Sequence, residues 1–169
     1  ILGNARPLPS GSAPDMGAFE SSLGVSVPKP TLVTVKKDGS GLFTNIADAV
    51  EWSSSGDTIL VSPGTYQENI EMVDKSLHLA SLYLTTGERS YVDTTIIDGQ
   101  QNGSAIWISS SDNQTRVSDV KLTGLTVTNA GYGSNGYYDG SGIRADNAKS
   151  LTCDQLIIRD NVGRYGGGI

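Results

Sequence analysis

From residue 58 onward the apolar residues come in short bursts that alternate with polar ones, and each burst is closed by Gly, Asn, Asp or Ser. Alternation with a period of two marks a strand with one buried face. The pattern predicts strands at Thr58–Val61, Asn69–Val73, Ser76–Leu84, Thr95–Ile97, Ala105–Ile108, Arg116–Val120, Gly124–Thr128, Ser141–Arg144 and Gln155–Arg159. Before residue 58 the pattern changes. Thr31 to Val35 alternates as a strand, and residues 37–41 form a turn cluster. Ile46, Ala49 and Val50 then fall at i, i+3 and i+4, the spacing of one helical face. That predicts a helix from a Thr44 cap to about Ser53, ended by Gly56-Asp57. Nothing helical is predicted after it.

An imperfect repeat runs through the strands. Leu125-Thr-Val-Thr-Asn129 corresponds to Leu156-Ile-Ile-Arg-Asp160 at a spacing of 31, and Gly142-Ile143 to Gly168-Ile169 at a spacing of 26. Unequal spacings are what stacked coils with variable loops produce, because insertions lengthen turns without disturbing strands. One helix ahead of a train of short strands suits a parallel β-helix, with the helix covering the open first coil. An immunoglobulin-like sandwich accounts for neither the Gly-Ile repeat nor the helix. Composition agrees with turn-rich all-β structure: 21 of 169 residues are Gly, about twice the usual share, and only 18% are charged. The net charge is −6 with no basic run, which argues against a nucleic-acid partner. No apolar run approaches the ~20 residues of a membrane helix.

The wording around the helix resembles a known superfamily. Asp38-Gly-Ser-Gly-Leu-Phe-Thr44, Ile46-Ala-Asp-Ala-Val50, the run from Gly56 to Ile70, and Thr95-Ile-Ile-Asp-Gly99 are similar to the opening of pectin-lyase-like proteins. The resemblance covers roughly residues 32–169. It implies an all-β, right-handed parallel β-helix with a short N-terminal capping α-helix, truncated at its C-terminal end. Residues 1–24 differ: Asp15-Met-Gly-Ala-Phe-Glu20 resembles the closing segment of secreted bacterial β-helix domains. The expected organisation is therefore the tail of an upstream domain at 1–24, a linker at 25–31 and the opening of a second β-helix at 32–169. The fold does not imply an activity, since lyases, hydrolases, esterases and non-catalytic surface proteins share it.

The opening is also similar to pectin methylesterases, whose chemistry implies an aspartate nucleophile, an aspartate acid/base and glutamines at the oxyanion. Matching Cys153-Asp154 to that family's Cys-Asp pair puts Arg159-Asp160 where it has Gln-Asp. The upstream glutamine position falls near Asp139, so both glutamines are missing. Asp160 remains a weak catalytic candidate, because a carboxylate without oxyanion donors lacks the electrostatic half of the mechanism. Its blander reading is a turn residue at the end of a coil.

The long loop from Gly131 to Ser141 carries Tyr132, Tyr137, Tyr138 and Asp139, a candidate glycan-binding surface in which rings pack on sugar C–H faces. Its alternative is a loop whose tyrosines cover the side of the coil. Asp139, Asp146 and Asp160 are candidate Ca2+ oxygens, with Arg144 and Arg159 nearby, provided that they converge. The single histidine, His78, is expected on a solvated face opposite Leu77 and Leu79. The single cysteine, Cys153, is expected as a small core residue, and Trp52 and Trp107 as packing residues. Asn102-Gly-Ser104 and Asn113-Gln-Thr115 match glycosylation sequons but read as turns. Asn129, Asn147 and Asn161 are expected to stack at bends. The resulting expectation is a fragment of an exported or cell-surface bacterial protein, monomeric within a multidomain chain, that contacts polysaccharide or cell-surface glycan as a binder, adhesin or stalk. The alternative is a polysaccharide lyase, glycoside hydrolase or pectin esterase whose catalytic residues lie mostly beyond this fragment.

Overall fold

The computed structural model describes residues 31–112, 118–131, 141–163 and 167–169. The elements in order are β1 (Leu32–Val35), α1 (Ile46–Trp52), β2 (Thr58–Val61), β3 (Gly64–Gln67), β4 (Ile70–Val73), β5 (His78–Ser81), α2 (Tyr83–Thr86), α3 (Ser90–Thr94), β6 (Thr95–Asp98), β7 (Ile106–Ser109), β8 (Asp119–Thr123), β9 (Thr126–Thr128), β10 (Ile143–Ala145), β11 (Ser150–Asp154) and β12 (Ile157–Arg159). They form three sheets, ordered β1-β2-β5-β8-β11, β3-β6-β9-β12 and β4-β7-β10. Every strand pair is parallel. From β2 onward the chain visits the three sheets in turn and then returns to the first. This is a mostly β architecture with few helices, compatible with a β-helix.

Alternation decides what each strand buries. In the first sheet Val33, Ile59, Leu79 and Leu122 stand in register, all fully buried. In the second, Tyr66, Ile97 and Val127 do the same. In the third, Ile70, Ile106 and Ile143 stack beside Met72 and Ile108. The three columns meet in one core. Each apolar residue lies over another about 4.8 Å away, the spacing between paired strands.

The repeats read from the sequence coincide with the register. Thr126 pairs with Ile157, 31 residues on. Gly142 and Ile143 donate their backbone N–H groups to the carbonyls of Gly167 and Gly168. A side chain at Gly142 would lie 2.6 Å from Asn161 Nδ2 and 3.0 Å from Gly168 O, so only glycine fits this approach. Bends repeat as well. Asn129 and Asp160 end consecutive strands of the second sheet at φ 57° and 55°, a left-handed conformation that Asn and Asp tolerate. Asn129 Nδ2 donates to Asp98 Oδ1 (2.7 Å), and Asn161 bridges the backbones of Ala130 and Val127. These asparagines link segments about 31 residues apart, through an aspartate and through backbone rather than through one another.

Helix α1 is shorter than expected, and Asn45 caps it in place of Thr44, its side chain accepting from Asp48 N at 2.8 Å. Ile46, Ala49 and Val50 bury the predicted face, and the helix packs on β1, β2 and β4. Two residues flanking β4 hold its ends. Glu68 accepts from Ile46 N (2.9 Å) and Ala47 N (2.8 Å), while Lys75 Nζ donates to the carbonyls of Val50 (2.7 Å) and Glu51 (2.5 Å). A carboxylate at the N-terminus and an ammonium at the C-terminus both complement the helix dipole.

Three expectations are corrected. The run Ser76–Leu84 is not one strand: β5 ends at Ser81, and α2 and α3 fill the stretch to Thr94. The chain is thus not free of helix after residue 58. Strands β3 and β11 were not predicted. Cys153 is exposed rather than core. It is in register with buried Leu122, but β11 is the last strand of its sheet and no described strand stacks beyond it.

Candidate functional site

The outward face of the third sheet carries the most distinctive surface among the described residues. With Ile70, Met72, Ile106, Ile108 and Ile143 turned inward, Glu71, Trp107 and Arg144 point outward in register on three successive strands. Trp107 is 36% exposed, unusual for a large aromatic in a strand. Its indole Nε1 donates to Asp146 Oδ2 at 2.8 Å. The same carboxylate oxygen pairs with Arg144 Nε at 2.6 Å, and the Arg144 guanidinium carbon lies 5.4 Å from the Trp107 ring centroid. Asp146 therefore fixes both the indole and the guanidinium, and a cation–π contact joins them. The expectation that Trp107 is a packing residue is corrected: its strand phase turns it away from the core. Trp52 is also partly exposed and stacks at a tilt on Phe43, with centroids 5.7 Å apart.

Around this column lies a groove of about 570 Å³, lined by Trp107, Glu71, Arg144, Asp146 and Ser109 to Ser111 among others. Asp74 follows β4 in the left-handed region and binds two of the lining serines. Its carboxylate accepts from Ser110 Oγ (2.9 Å), Ser111 N (3.1 Å) and Ser111 Oγ. The serine hydrogen bonds hold it below the ordinary carboxylate range. Glu71 makes no hydrogen bond or ion pair among the described residues. An open groove with an exposed indole, an unengaged carboxylate and hydroxyls is suited to a sugar: apolar C–H faces meet the ring and hydroxyls meet the polar groups.

A smaller concavity of about 240 Å³ lies on the first sheet, lined by Thr58, Ser76, His78, Asp119 and Lys121 among others. Its histidine and aspartate are held by neighbouring side chains. His78 Nε2 is 2.9 Å from Thr123 Oγ1, and burial, with Lys121 adding, pushes the imidazole below its ordinary value. Asp119 binds Lys149 Nζ (2.8 Å) and Ser150 Oγ (2.6 Å), which lower its carboxyl. As expected, His78 faces away from buried Leu77 and Leu79.

The residues singled out from the sequence fall elsewhere or lie beyond description. Tyr132, Tyr137, Tyr138 and Asp139 are outside the described residues, as are the calls on residues 1–24 and on most of the linker. Asp160 is exposed, follows β12 in a left-handed turn and pairs with its neighbour Arg159 at 2.8 Å. Of the three candidate Ca2+ oxygen donors, Asp146 is engaged by Arg144 and Trp107 after the third sheet, and Asp160 follows the second. Among the described residues no group of three or more His, Cys, Asp or Glu is placed to hold a metal ion, and no helix is long and apolar enough to cross a membrane.

No protein-family model matches the chain. One similar protein is a pectinesterase/pectinesterase inhibitor from Prunus persica, 36% identical over 69 residues, a match covering 35% of this chain and 13% of that protein. The likeness is partial. Together with sheets that are all parallel, it supports the β-helix and pectin theme of the sequence resemblance and hints at a carbohydrate-active protein.

Proposed function

We propose that this chain is the opening of a right-handed parallel β-helix in an exported or cell-surface protein, and that the groove on its third sheet binds polysaccharide. The observation that carries the reading is Trp107: an exposed indole on a regular strand, held in place by Asp146 and flanked in register by Glu71 and Arg144. A strand residue exposed at the centre of a groove and fixed by a hydrogen bond is preorganised, so little rotamer entropy is lost when a ligand arrives. Isothermal titration with a panel of oligosaccharides tests it. Trp107→Ala is expected to weaken binding by about tenfold or more; an unchanged affinity, or no saccharide bound by the parent, overturns the reading.

The likeness to a pectinesterase favours a second reading, a carbohydrate-active enzyme. Asp160, paired to Arg159 in a turn, is a poor nucleophile candidate, so catalysis would rest on other residues. Ester hydrolysis or unsaturated uronate release by the full-length protein would favour this reading, and inactivity on both substrates would remove it.

A further inference from the structure

The charges around Trp107 bear on which sugar the groove would take. This step rests on the saccharide reading of the groove. Glu71, Arg144 and Asp146 line the groove, and Asp74 hydrogen-bonds its lining residues Ser110 and Ser111. Of the groove's described charged side chains, Asp146 and Arg144 pair with each other, and Glu71 adds a further carboxylate. The Arg144 guanidinium is already spoken for, paired to Asp146 and laid over the indole. Asp74 accepts three hydrogen bonds from its serines. Among the described residues Glu71 has no hydrogen-bond or ion-pair partner, and it is one strand from Trp107 in register, which places the two backbones about 4.8 Å apart.

From this arrangement we infer that the groove selects a saccharide carrying protonated amines, a hexosamine polymer, over an uncharged or a uronate-bearing one. The sugar ring packs on the exposed part of Trp107, and the ammonium group meets the Glu71 carboxylate. A cation beside an indole and a free carboxylate gains from both. A polyuronate would bring further carboxylates beside Glu71, while Arg144, the one cation among the described lining residues, is already paired to Asp146. Like-charge juxtaposition of this kind excludes ligands as effectively as good contacts admit them.

The test uses the full chain and matched oligosaccharides of equal length: chitosan oligomers, their N-acetylated chitin counterparts, and oligogalacturonate. Calorimetry at moderate salt is expected to rank chitosan first, about tenfold or more above chitin oligomers, with oligogalacturonate weakest. Glu71→Gln should remove the preference for the free amine. Glu88→Gln removes the same charge from the segment between α2 and α3, away from the third sheet, and should preserve the preference. Equal affinity for free and acetylated amines, tighter oligogalacturonate binding, or equal effects of the two Gln variants overturns the amine selectivity. In each of these cases Trp107-dependent binding would leave the saccharide reading standing. Absence of binding to all three ligands overturns both.

Discussion

At the residue scale, single side chains tie distant segments together. Glu68 satisfies the first two N–H groups of α1 from 22 residues away, a partner that no local capping pattern announces. Replacing it with Ala leaves those donors without their carboxylate and removes a charge that favours the helix N-terminus. Glu68→Ala is expected to cost ~1–2 kcal/mol in a urea titration, whereas a change below a few tenths would show that solvent takes over. Tyr66 makes a pH prediction. Its hydroxyl donates to Ser62 O at 2.9 Å, and burial, with Glu68 and Asp38 adding, raises it from 10.0 to about 12. The folded state therefore holds this proton more tightly than the unfolded chain. The resulting stability is fully present below pH 10 and is lost as the pH rises through about 12. Tyr66→Phe is expected to cost ~1 kcal/mol near neutrality through the lost hydrogen bond. It should also fall less steeply than the parent in denaturation midpoint over the alkaline range; parallel curves would contradict the assignment.

At the element scale, alternation made most strands legible. Thr58–Val61 appears as read, and Ile46, Ala49 and Val50 form the buried face that their spacing predicts. The failures have local causes. Helices α2 and α3 have four and five residues, too few for a helical period to emerge. They are fixed from outside: Gly87 supplies a left-handed cap, and Thr126 Oγ1 donates to the Val92 carbonyl at 2.7 Å. A side chain at Gly124 would meet Tyr83 Cβ at 2.6 Å, so the left-handed glycine lets α2 approach. Strand β11 escapes a pattern search because its residues stay largely exposed; its pairing with β8 defines it. The inward columns give the element-scale prediction. Leu79 is buried between Ile59 and Leu122, with a rigid strand on either side limiting collapse into a cavity. Leu79→Ala should therefore cost ~3–4 kcal/mol by denaturant unfolding, and a cost near 1 would indicate a column that relaxes freely.

At the scale of the molecule, the chain's own alternation determined which residues point in and which point out, and its turn residues determined where strands stop. These are local properties, set by the backbone period and by the few residues that accept left-handed geometry. Which outward residues meet is another matter. Glu71, Trp107 and Arg144 are separated by 36 and 37 residues, whereas Ile59 and Leu79 in the first sheet are separated by 20. Loops of unequal length set those intervals, so no fixed period in the sequence brings the three together. An aromatic flanked by isoleucines reads as packing until the strand's phase is known, and one residue of phase turns it from core to solvent. The sequence therefore determined the strands, the capping helix and the repeat, because those follow from neighbours along the chain. Only the tertiary structure decided the groove, because register is fixed by hydrogen bonds between strands that are joined by loops whose lengths carry no pattern.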